Sequence, residues 1–117
     1  MRPRPPGVTP NAPAVVPGAP QDTFAEVKGT IIVVCWVQEE AATTYGIRTN
    51  VHEGASPVGL RTTGRTPTVT TNGQVRVECT FTGLKPGNYT FSVTARNAQG
   101  RSGPMGAESH TVILGTP

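Results

Sequence analysis

Leu84-Lys85-Pro86-Gly87-Asn88-Tyr89-Thr90-Phe91-Ser92-Val93-Thr94-Ala95-Arg96-Asn97 is the stretch whose reading decides the fold. Pro86-Gly87 is a turn signal, because proline fixes φ and glycine tolerates the conformations that tight turns demand. Beyond the turn, Tyr89, Phe91, Val93 and Ala95 fall at every second position. Successive side chains of a strand point to opposite faces, so these four share one face and can close a core.

The surrounding sequence repeats that pattern. Val77, Cys79 and Phe81 share a face, as do Ile32, Val34 and Trp36, with Ile31, Val33, Cys35 and Val37 on the face opposite. Asn72-Gly73 is the strongest turn signal and fits a two-residue type I′ hairpin joining residues 68–71 to 74–82. Other strand runs include residues 24–27, 30–38, 43–52, 58–62, 88–97 and, as the last, 109–114. No window supports an amphipathic helix of useful length. Short strands punctuated by turns predict an all-β, seven-stranded antiparallel sandwich of immunoglobulin-like type.

Composition divides the 117 residues in two. Residues 1–20 hold seven of the twelve prolines and no aromatic residue, whereas residues 21–117 hold every Trp, Tyr and Phe. The first part reads as an extended Pro-rich arm, polyproline II or coil, that cannot bury enough apolar surface to order itself. The second reads as the sandwich. The net charge of +3 is scattered, with no Lys/Arg run of five, so a specific nucleic-acid interface is not expected. The longest apolar run, Ile31–Val37, is too short to span a bilayer. No apolar stretch follows the basic residues near Met1, and no export signal is read there.

The run from Leu84 to Asn97 resembles the fibronectin type III signature, L-x-P-G-x-x-Y-x-x-x-V-x-A-x-N, with one residue fewer between Pro-Gly and Tyr. Gly100 and Ser102 then fall where that family places its F–G loop. Ile32, Val34 and Trp36 match its strand B, and Tyr45 with Ile47 the inward pair of its strand C. The resemblance spans about residues 18–114. It implies a sandwich core built on Trp36, Tyr45, Leu84, Phe91 and Val93, with Tyr89 at the corner where a tyrosine hydroxyl bonds back to the upstream backbone. It also implies a binding or structural module rather than an enzyme.

Little in the sequence points to chemistry. His52 and His110 lie outside metal-ligand spacing of one another or of a cysteine, so no metal site is expected, nor any cofactor. Glu39-Glu40 are adjacent at a strand end and point apart, which reads as a solvated turn. No nucleophile-elbow sequence accompanies the serines. Gly100-Arg101-Ser102-Gly103 lacks the aspartate of an integrin-binding Arg-Gly-Asp. Asn88-Tyr89-Thr90 fits the glycosylation pattern, which matters only in a secreted eukaryotic protein. Cys79 is read as inward and Cys35 as outward, giving two free thiols.

By family analogy, the expectation is a bacteriophage virion accessory protein, a capsid decoration or head/tail component made in the host cytoplasm. Its arm, through Arg2, Arg4, Pro5, Pro6, Val15 and Val16, would contact capsid or other virion subunits. Weak host-surface or glycan contact would fall to the loops. The alternative is a spacer or carbohydrate-proximal module of a secreted bacterial enzyme or surface protein; a fragment of a eukaryotic receptor is the weakest reading. Whatever the function, Trp36 is the largest core member. Trp36→Ala is expected to cost roughly 3–5 kcal/mol and to abolish the cooperative transition in a urea titration followed by fluorescence of the remaining aromatics or by circular dichroism.

Overall fold

The computed structural model describes residues 15–51, 60–65 and 68–115. Nine strands occur among them: β1 Phe24–Lys28, β2 Ile31–Val37, β3 Thr44–Val51, β4 Arg61–Thr63, β5 Thr68–Thr71, β6 Gln74–Phe81, β7 Gly87–Arg96, β8 Ser102–Met105 and β9 Val112–Leu114. One sheet has the order β1-β2-β6-β5. The other runs β4-β3-β7-β8, with β9 also pairing β7. Every pairing is antiparallel, and the two sheets make the expected sandwich.

Two strands more than the expected seven are present: β5, the first arm of the Asn72-Gly73 hairpin, makes an eighth, and the division of the last strand makes a ninth. The final strand beside β7 is interrupted: β8 pairs Arg96 and Thr94, β9 pairs Tyr89 to Gly87, and the register shifts between Thr94 and Arg96. Pro104 lies in β8 and cannot donate to a ladder, so it sits where prolines are tolerated, on a sheet edge. The last strand was expected from residue 109 but begins at Val112. In between, Ser109 keeps the register with its main-chain N–H on the Phe91 carbonyl and its hydroxyl accepting the Phe91 N–H at 2.9 Å. Residues 58 and 59 of the strand expected at 58–62 lie outside the described residues, as does His52; Arg61 and Thr62 fall in β4.

Trp36, Tyr45, Tyr89, Phe91, Ile32, Ile47, Val34, Val77 and Val93 are fully buried between the sheets. Trp36 meets Tyr45 edge-on at 5.1 Å between ring centroids, and Phe81 meets Phe91 at 5.1 Å. Leu84 is half-buried and packs against this cluster. The Tyr89 hydroxyl donates to the Lys85 carbonyl, closing the corner that the resemblance implied. Cys79 is buried and Cys35 half-buried, both as free thiols.

The Asn72-Gly73 hairpin has the geometry its sequence demands, with φ of +52° and +78°. Nothing lies within 4 Å of where a Cβ on Gly73 would be, so only backbone strain opposes a side chain there. Gly73→Ala is therefore expected to lower stability by about 1–2 kcal/mol without local repacking, and Asn72→Gly to be near neutral, both read by thermal or urea unfolding.

Candidate functional site

The β2–β3, β5–β6 and β7–β8 connections gather at one end of the sandwich, and the chain before β1 arrives there too. Asn97 organises the meeting point. Its buried side-chain carbonyl accepts the N–H groups of Gln99 at 3.0 Å and Arg101 at 2.9 Å, shaping the β7–β8 turn. Its amide donates to the Val15 carbonyl at 3.0 Å. The Gly18 N–H donates to the Glu39 carboxylate at 3.1 Å. Glu39 itself is fixed by its N–H on the Tyr45 hydroxyl at 2.8 Å, and Arg65 donates to the carbonyls of Glu39, Glu40 and Ala42.

Residues 15–20 thus lie against the sandwich rather than away from it. Pro17 and Pro20 are buried. They pack onto backbone: a Cβ on Gly103 would collide with the Pro17 carbonyl, and one on Gly106 with the Pro20 carbonyl. The described part of the expected arm is therefore built into the fold. Of the six arm residues named above, Val15 and Val16 are described and exposed, at 72% and 46%. Arg2, Arg4, Pro5 and Pro6 lie outside the described residues. Sequence reasoning missed these roles of Asn97, Gly103 and Gly106, because their partners Val15, Pro17 and Pro20 are distant in sequence.

The sandwich also presents two outer faces. Over β4-β3-β7-β8 lies an open concavity of about 780 Å³ lined by Thr44, Arg48, Leu60, Thr94, Arg96 and Met105 among others. Its floor is Gly46, with the Leu60 side chain lying across it. Over β1-β2-β6-β5, the half-buried Ile31, Val33, Cys35 and Val37 form a central apolar stripe flanked by Glu26 and Glu78.

Groups with chemical potential are dispersed. His110 is exposed with its ring against Phe24. No cluster of three His, Cys, Asp or Glu side chains occurs among the described residues. Burial pushes the Cys79 thiol above its ordinary range, with nearby Arg61 opposing the shift, so it is a poor nucleophile in the folded protein. Thr90 of the glycosylation pattern is buried and donates to Glu108.

A family model described as fibronectin type III domain matches residues 18–112. Among solved structures, one described as "Structure of FN3tt mut" superposes with a TM-score of 0.60 at 17% identity, covering 87% of this chain and all of that one. The FN5 domain of Drosophila Lar superposes with a TM-score of 0.59 at 24% identity, again over 87% of this chain and the whole of the other. No curated protein matches. The leader contact gives a direct test. Gly103→Ala is expected to lift residues 15–20 off β8, at a cost of roughly 1–3 kcal/mol, with faster amide exchange at Gly18 and Ala19 while β2 and β6 stay protected.

Proposed function

The chain belongs to the fibronectin type III family, and from that premise we propose that it is a non-enzymatic interaction module which docks through the leader launched beside Asn97. The family's domains are in general binding or structural modules. The finer reading is a virion accessory protein, a capsid decoration or head/tail component made in the host cytoplasm. Arg2 and Arg4 would pair with acidic groups on neighbouring subunits, with Pro5, Pro6, Val15 and Val16 supplying apolar contact.

The observation that carries this reading is the clamp itself. Asn97, Gly103 and Gly106 hold residues 15–20 at a defined point on the sandwich, which fixes where a docking segment attached there begins. Five prolines among residues 1–14 reduce the conformational freedom that a docking segment must surrender, which favours binding by an extended chain. Exposed Val15 and Val16 at that root extend the contact onto the domain.

One further observation favours the spacer reading, in a secreted enzyme or surface protein. The chain enters beside Asn97, whereas β9 closes beside Gly87, at the opposite end of the ten-residue β7. Entry and exit at opposite poles suit modules linked in series.

Removing residues 1–14 separates the two, because it spares Pro17 and Pro20. The virion reading predicts that the 15–117 chain melts within a few degrees of the full chain yet no longer attaches to particles stripped of this protein, as measured by co-sedimentation. Undiminished attachment contradicts it, and the spacer reading predicts no binding role for these residues.

A further inference from the structure

The two outer faces of the sandwich are unlike, and their differences are complementary. On the concave face, the strand register lines up Thr62, Gly46, Thr94 and Met105 in one row across four strands. The row on one side contains Thr44, Arg96 and Ser102; on the other side Arg48 sits opposite Ser92. Among the described residues, the concavity is lined by two arginines and no carboxylate. Arg48 and Arg96 lie roughly 14 Å apart, from four residues along a strand and one strand across. Arg48 makes no ion pair among the described residues, and the Arg96 side chain donates to the Ser102 hydroxyl. Leu60 and Met105 add exposed apolar surface at opposite rims, 66% and 48% exposed.

The opposite face inverts this. Its rows read Phe24, Cys35, Glu78 and then Glu26, Val33, Thr80. All seven residues of β2 are apolar, a composition typical of strands covered on both faces, yet the core covers only one. Glu26 and Glu78 flank the half-buried stripe and make no ion pair among the described residues. They lie roughly 12 Å apart, from two strands across and two residues along, close to the spacing of the two arginines. Arg76 does not neutralise them: its side chain is mostly buried, donating to Cys35 and to the Asp22 carbonyl and pairing with the Asp22 carboxylate. Lys28 stands at the far end of the stripe, opposite Ile31.

We propose that the β2 stripe of one copy docks on the concave face of a second copy, with Glu26 and Glu78 set against Arg48 and Arg96. The occupant is a second copy because both halves of the match are present on one chain. The chain's own leader does not match the concave face by charge, since residues 1–20 carry Arg2 and Arg4 and no carboxylate. Because the two faces lie on opposite sides of the sandwich, the contact is heterologous and adds copies in a row. Each face measures about 20 Å by 23 Å, below the ~800 Å² per partner of stable complexes, so the association is a weak one.

Charge reversal on each face tests the proposal. Sedimentation velocity from about 10 µM to 1 mM should show concentration-dependent association of the wild type that weakens with salt. Arg48→Glu with Arg96→Glu, and separately Glu26→Lys with Glu78→Lys, should each weaken self-association at least about ten-fold. An equimolar mixture of the two should regain it, because each altered face then meets an opposite charge on the other chain. A wild type that stays monomeric at 1 mM overturns the proposal. So does undiminished association of the arginine-reversed chain, which would mean a two-fold pairing of stripe with stripe. So does a mixture that gains nothing although both chains melt cooperatively. If a reversed chain fails to melt cooperatively, Arg48→Gln with Arg96→Gln reads the same loss on a strand face that tolerates glutamine.

Discussion

Seven consecutive apolar side chains, Ile31–Val37, run down the middle of one sheet and couple everything else in this domain. β2 is hydrogen-bonded on both edges, to β1 and to β6, so its register is fixed along its length. Alternation sends Ile32, Val34 and Trp36 into complete burial, where each isoleucine or valine contributes about 1.5–3 kcal/mol. Trp36 then meets Tyr45 from the other sheet, and the Tyr45 hydroxyl holds the turn that receives Glu39 and, through it, Gly18. A slip of one residue would exchange the two faces of β2, placing Cys35 where Trp36 belongs. The inner face therefore selects the register, and the outer face receives its apolar stripe as a consequence.

That outer stripe and its acidic flanks divide the work of association in an ordinary physical way. Exposed ion pairs contribute about 0–1 kcal/mol each, too little to hold two copies together. The apolar strip supplies the affinity, and the charges select which face is met and in what orientation. A weak contact of this kind gains force where copies are held close, as an anchored leader would hold them.

Much of this fold was legible in the sequence because its signals are local. Asn72-Gly73 carries its own turn geometry, and Tyr89, Phe91, Val93 and Ala95 declare a buried face by alternation alone. Tyr89 was placed at its corner by the family resemblance, whose signature is itself local, and its acceptor Lys85 lies four residues away. What escaped reading depends on partners distant in sequence. Ser102-Gly103-Pro104-Met105 reads as loop, yet it forms an edge strand because β7 offers it a ladder. Pro17 and Pro20 read as free arm, yet they are buried because Gly103 and Gly106 admit them. Arg48 and Arg96 are 48 positions apart and share a face only through the β3–β7 register.

The central claim is that one strand builds the core with one face and an interaction surface with the other. Val34→Thr and Val33→Thr, adjacent and chemically identical changes, test it in a single experiment reading both urea stability and sedimentation. Val34→Thr places a hydroxyl in the core without a partner and should cost about 1–3 kcal/mol. Val33→Thr should leave stability within about 0.5 kcal/mol while weakening self-association. Equal losses of stability from both, or a Val33→Thr chain that associates like the wild type, would contradict the account.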